Sequence, residues 1–274
     1  MVRCAFGPKV ARRLLRCELE RLCGESGRTH AQVGERLGMT RSGFTQFLRG
    51  RTLPSRPVLE VLVSYFARPE HLPLLLELLS AAKARPDRVV ELVTPHEPGP
   101  VLVSVATSIE AYDPMLVNAL LRSEPYTRAV IEHRGGGEPE VAEALTGQAP
   151  LTRATAPVRL WAVLEERVLR RPVGGAGVVR GQVEHLLELA ELDNVTLQVL
   201  REEVGLHPSL QGPIFLLRFD DHWRVAYEET RRCGYYYDAV DAVEDYGQAM
   251  NHLRHLSLDP AATKDFLVGL RAEL

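Results

Sequence analysis

The sequence predicts an α+β protein of two unequal halves, a five-helix N-terminal helix-turn-helix domain and a C-terminal mixed-sheet α/β domain. Three observations carry this. Between Thr29 and Gly50, in THAQVGERLGMTRSGFTQFLRG, two short apolar-periodic segments flank Gly38, and each opens with a capping threonine. Beyond Ala84, runs rich in β-branched and aromatic residues alternate with segments of helical period. Finally, residues 1–60 hold twelve Lys or Arg against five acids, +7, so the rest of a chain of net charge −3 carries −10. At 274 residues the chain exceeds one typical domain.

The N-terminal elements follow in order. Lys9–Glu25 reads as a helix, because Ala11, Leu15, Leu19, Leu22 and Cys23 recur on one face; Arg12, Arg13 and Arg16 fall on the other. Thr29 followed by Gln32 is a capping-box start. The helix it opens turns Val33 and Leu37 inward, Gly34 lets a second helix approach, and Gly38 ends it. Thr40 caps that second helix, in which Phe44, Phe47 and Leu48 are the buried face and Arg41, Ser42, Thr45, Gln46 and Arg49 the polar one. Gly50 and Pro54 form an exit turn flanked by Arg49 and Arg51. Ser55 caps a fourth helix through Phe66, with Val58, Leu59, Leu62 and Val63 inward, and Pro69 or Glu70 opens a fifth to about Lys83. The module spans residues 1–85, and the proline-rich stretch 86–100 reads as a linker carrying one strand.

The second domain, 101–274, opens with the β-branched run Val101–Val105, read as a strand. A helix begins near Thr127, Arg159–Glu165 alternates like a strand, and Val178–Leu192 is an amphipathic helix. Val195–Leu200, Pro213–Phe219, Trp223–Glu228 and Gly234–Tyr237 are further strands of one mixed sheet. Two helices close the chain. Val240, Val243, Met250, Leu253 and Leu256 mark the first; Asp259 caps the second, which buries Phe266, Leu270 and Leu274.

Composition narrows the function. No run of about 18 apolar residues exists, and the start lacks the apolar core of a signal peptide, so a cytoplasmic chain with no membrane partner is expected. Cys4, Cys17, Cys23 and Cys233 have no metal-ligand spacing and read as reduced structural thiols; no metal and no cofactor are expected. A major groove admits one α-helix whose Arg, Gln, Thr and Ser side chains reach base edges and phosphates. A basic module attached to an acidic body fits that partner, double-stranded DNA. In this reading Arg41, Thr45 and Gln46 contact bases, while Thr29, Ser42, Arg49 and Arg51 hold phosphates and Thr40 fixes the helix start.

The first 85 residues resemble the Xre, or lambda-repressor-like, helix-turn-helix family at the Thr-x-x-Gln start, the Gly38 turn, the polar second helix and the Arg-Gly-Arg-x-x-Pro-Ser exit. That family usually has Ala at the Gly34 position, a smaller or β-branched residue at Phe44 and an acid at Leu48. The rest resembles the domain of unknown function that follows an Xre domain in many actinobacterial regulators. The residues carrying this are Glu165-Glu-Arg-Val-Leu-Arg-Arg-Pro-Val-Gly174, Gln182-x-x-His-Leu-Leu-Glu-Leu-Ala190, Asn194–Leu200, His207-Pro208, Gly212–Phe215 and Tyr227-Glu228. Members usually have Pro-Gly-Leu-Leu-Gln-Thr where this chain has Asn118–Ser123. The resemblance implies a sensing or docking domain and a small neighbouring-gene protein as partner; the class implies a homodimer on half-sites about 34 to 36 Å apart.

The residues themselves leave alternatives open. Tyr126, Trp223, Tyr227, Tyr235 and Tyr237 could wall a small-molecule ligand pocket, with Glu228 or Arg232 orienting the ligand. His207, Glu228, Tyr236 and Cys233 are the groups a catalytic reading would use, in a regulator-derived protein recruited to a biosynthetic pathway. No spacing typical of a catalytic motif accompanies them.

Overall fold

A computed structural model describes residues 2–49, 52–84, 90–94, 98–220, 222–229 and 233–274. In chain order, β1 is Val2–Phe6, followed by α1 Pro8–Glu25, α2 His30–Arg36, α3 Arg41–Leu48, α4 Arg56–Tyr65 and α5 Leu72–Ala82. Then come β2 Val90–Thr94, α6 Pro98–Val105, β3 Ser108–Asp113, α7 Glu124–His133, α8 Glu138–Thr146, α9 Ala149–Thr152 and β4 Arg159–Glu165. The remainder is α10 Glu166–Leu169, α11 Ala176–Leu189, β5 Val195–Leu200, β6 Ile214–Arg218, β7 Arg224–Glu229, β8 Cys233–Tyr237, α12 Val240–Leu256 and α13 Pro260–Glu273. The protein is α+β, as the sequence predicts. Its contacts divide it into one compact unit of residues 1–101 with Glu229–Asp238, and another of 102–228 with 239–274.

In the first unit α2 and α3 have the causes read from the sequence, whereas Ser55 precedes α4 without a side-chain cap bond and Pro57 sets that helix's start. The Thr29 hydroxyl accepts from Gln32 N–H and the Gln32 side chain accepts from Thr29 N–H, a complete capping box. Gly38 follows α2 at φ +69°, a left-handed conformation that costs glycine nothing. Thr40 accepts from Gly43 N–H and starts α3. Val33, Phe44, Phe47 and Leu48 are buried with Ala11, Leu15, Leu19, Leu22 and Cys23 of α1. The fifth helix begins later than expected: Pro69–His71 is one 3₁₀ turn, and α5 starts at Leu72.

One strand here was not expected. β1 precedes α1, pairs antiparallel with β2 and parallel with β8. The strand predicted at Gly234–Tyr237 forms as β8. It anchors there through Tyr236, whose ring meets Phe6 edge-on at 6.3 Å. Within the proline-rich stretch, residues 85–89 and 95–97 lie outside the described residues; the expected strand is β2.

The second unit holds five strands of the sheet in the order β7-β6-β3-β4-β5. β3, β4 and β5 are parallel, and β6 is antiparallel to both β3 and β7. Val101–Val105 does not form a strand. It ends helix α6, whose first turn holds Pro98 and Pro100; Leu102, Val103 and Ala106 are buried at helical spacing. A short apolar run fits a buried helix and a strand equally, and the prolines decide it. In α13 the buried stripe is Thr263, Leu267 and Leu270, one position on from the predicted Phe266. Phe266 is half-buried instead, under the Arg201 guanidinium at 5.0 Å. Asp259 caps α13, accepting from Ala262 N–H at 2.8 Å.

Candidate nucleic-acid interface

The polar face predicted for α3 is outside. Arg41, Ser42, Gln46 and Arg49 are exposed, as are Thr29 and Thr40 at the two helix starts, and Thr45 is half-buried. Arg51 lies outside the described residues. Because Arg41 and Ser42 occupy the first two positions of α3, the helix start presents unpaired backbone N–H groups beside them, which suits phosphate oxygens.

Thr45 is less free than its neighbours. Its hydroxyl donates to the Arg41 carbonyl at 2.9 Å and lies 3.1 Å from His30 Nδ1. The hydroxyl proton being so used, Nδ1–H is the donor to Thr45. His30 also meets Phe44 edge-on at 5.5 Å. The first residue of α2 thus fixes the middle of α3, a role the sequence reading missed. Its only signal was a ring at the first helical position beside a buried phenylalanine one helix away.

Arg16, Glu20, His30, Thr45, Leu48 and Arg49 line a cleft of about 360 Å³. Within it Arg16 pairs with Glu20 at 3.1 Å and donates to the Arg49 carbonyl at 3.5 Å, so the end of α3 is tied to α1. Part of the module's positive charge is spent internally. Arg21 pairs with Glu18 and Glu25, Arg12 donates to the Ala82 carbonyl at 3.1 Å, and Arg28 lies 4.0 Å over the Tyr65 ring. Arg12 and Arg16 are structural ties rather than a solvated row. Burial, reinforced by Glu20 and opposed by Arg13 and Arg16, pushes the Cys17 thiol up to about 11.

The residues predicted for a ligand pocket fall in both compact units. Tyr126 is buried in the second unit, its phenol accepting from Val117 N–H at 3.4 Å. Trp223 stacks on Phe219 at 4.7 Å, Tyr227 meets Phe215 edge-on, and Glu228 accepts from the Tyr246 hydroxyl. Tyr235 and Tyr237 stack on each other at 6.5 Å in the first unit. Arg232 and the side chain of Cys233 lie outside the described residues.

The alternative catalytic set is likewise divided between the units. Tyr236 belongs to the first unit, whereas Glu228 and His207 belong to the second. His207 lies between two short 3₁₀ turns and is buried. Its ring meets that of Tyr112 edge-on at 5.8 Å, and its Nε2 lies 3.4 Å from Glu165 Oε1. Among the described residues, no helix is long and apolar enough to cross a membrane.

Comparison with known proteins matches two family models. One, described as a helix-turn-helix domain, covers residues 14–75; the other, described as a domain of unknown function (DUF5753), covers 101–268. No curated protein and no solved structure matches the chain.

Proposed function

The chain belongs to the DUF5753 family and carries a helix-turn-helix domain ahead of that domain, and on this premise we propose a transcriptional regulator that reads operator DNA through α3. The observation that carries the reading is the exposed row Arg41, Ser42, Gln46 and Arg49 on a helix seated by Phe44, Phe47 and Leu48 in a segment of charge +7. Arg41, Thr45 and Gln46 touch base edges; Thr29, Thr40, Ser42, Arg49 and Arg51 position the backbone. The protein works in the cytoplasm as a homodimer of Xre type, and residues 101–274 receive a small-molecule signal.

The test is binding to genomic fragments across a salt series, with wild type and Arg41→Ala. Wild type is expected to give saturable binding that weakens as salt rises. Arg41→Ala should lose discrimination among sequences, by about 1–3 kcal/mol at the position it reads. Absence of saturable binding by wild type at moderate salt would sink the operator reading.

A further inference from the structure

The segment between β5 and β6 runs over the carboxyl ends of two neighbouring strands. β5 ends at Leu200 beside Glu165 of β4, and β6 begins at Ile214 beside Tyr112 of β3. Residues 201–213 therefore cross from one edge of the parallel sheet, over the ends of β4 and β3, to the far side of β3. In open α/β sheets, ligands bind outside the carboxyl ends of the strands, at the place where strand order switches.

This strap is turned inside out. Leu206 is 92% exposed and Leu210 41%, while His207 and Ser209, between them, are 8% and 4% exposed. Among the described residues His207 Nδ1 and Ser209 Oγ have no hydrogen-bond partner. Apolar side chains in water and unpaired polar atoms in the interior are each unfavourable, and a loop free of other demands would reverse them.

Beneath the strap the donors and acceptors are ordered. The Tyr112 hydroxyl donates to Glu165 Oε1, and the Arg167 guanidinium holds Glu165 Oε2 at 2.5 Å. Burial, then the bond to Glu165, pushes the Tyr112 phenol far up, so it remains a donor. His207 Nε2 lies 3.4 Å from the same Oε1. A proton on Nε2 serves that carboxylate and leaves Nδ1 as a bare acceptor. Asp113, next along β3, adds a second carboxylate, which accepts from Met115 N–H at 3.0 Å.

We propose that residues 201–213 close over a binding site for a small neutral or cationic molecule bearing hydroxyl or amino hydrogens, one donated to His207 Nδ1 and one shared with Ser209 Oγ. Glu165, with Asp113 next to Tyr112 along β3, favours a neutral or cationic ligand over an anion. The inference rests on the reading of residues 101–274 as the sensing half, and it names the site and the ligand chemistry. With Leu206 and Leu210 outside, little apolar burial holds the strap down, and opening it admits the ligand.

The test uses the full chain with ethanolamine, agmatine, glycerol and glucose as probes, and acetate and inorganic phosphate as anionic counterparts, read by saturation-transfer NMR and calorimetry. At least one amine or polyol is expected to bind saturably, and to bind about tenfold or more weakly to His207→Phe and to Ser209→Ala. Ser209→Ala removes only an unpartnered hydroxyl, so its melting temperature should match or exceed that of wild type. Lower affinity at unreduced stability separates a ligand contact from a structural one. No binding of the four probes, binding untouched by either variant, or binding of the anions instead would overturn the site. DNA binding is measured separately without probes. A chain that binds DNA but none of the four refutes the pocket alone, and one that binds a probe but no DNA refutes the operator reading alone.

Discussion

Gly34→Ala should destabilise the helix-turn-helix, although alanine is the better helix former. Helix propensity alone favours the change by about 0.8–1 kcal/mol. A Cβ at position 34, however, would stand 2.9 Å from the Met39 carbonyl oxygen and 3.1 Å from that of Thr40. Both are backbone atoms of the turn leading into α3, so no rotamer can relieve them. The turn is also pinned, since Met39 N–H donates to the Gly34 carbonyl at 2.7 Å. Relief requires α3 to move outward, an overpacking cost of about 1–3 kcal/mol. The balance is a net loss of about 1 kcal/mol, which for a unit of this size lowers the melting temperature by about 4–8 °C. Gly181→Ala is the control. Gly181 lies inside α11 with no atom within 4 Å of its would-be Cβ, so the substitution should stabilise by about 0.5–1 kcal/mol. Calorimetric melting of both variants decides between packing and propensity. If Gly34→Ala raises the melting temperature as Gly181→Ala does, the close approach of α2 to the turn is wrong.

Three further outcomes follow from particular contacts. Thr45→Val keeps the shape of the side chain but removes the hydroxyl joining His30 to the Arg41 carbonyl; specific DNA affinity should fall about tenfold with the salt slope unchanged, and an unchanged affinity would remove Thr45 and His30 from recognition. Gln182→Leu leaves the Ser123 N–H and Leu121 carbonyl without the side-chain bonds of 2.8 and 2.7 Å they now make, and urea unfolding should show a loss of about 2–5 kcal/mol. Cys17 sets an alkaline limit. Its thiol pKa is raised from 9.0 to about 11 on folding, so the folded state holds the proton longer and stability, intact below about 9, declines as pH climbs towards 11. Two pH units at about 1.4 kcal/mol each make that decline about 3 kcal/mol, and Cys17→Ala should flatten it in denaturant titrations at pH 8 to 11.

The N-terminal module was legible because its signals are local. Thr29 and Gln32 cap a helix three residues apart, Thr40 and Gly43 another, and Gly38 punctuates between them, so each element announces its own ends. β1 stayed hidden because a five-residue strand at a chain start carries no alternation, and its reason to exist, pairing with β2 and β8, lies roughly ninety and two hundred and thirty positions away. Of the aromatic residues from Trp223 to Tyr237, Tyr227 falls on β7 and Tyr235, Tyr236 and Tyr237 on β8, the two strands read from their β-branched and aromatic content.

The same logic explains why Tyr112, Glu165 and His207 could not be assembled beforehand. Tyr112 and Glu165 are 53 positions apart, Tyr112 and His207 95, and they meet only because parallel pairing brings the ends of β3 and β4 level while the chain returns over both to start β6. Along the sequence, a histidine before Pro208 carries no sign of burial. Burial reverses its meaning: an exposed imidazole is satisfied by water, whereas this enclosed Nδ1 has no hydrogen-bond partner among the described residues. Leu206 gives the complementary sign, since it is 92% exposed beside that histidine, the reverse of the order in which a leucine and a histidine are usually buried.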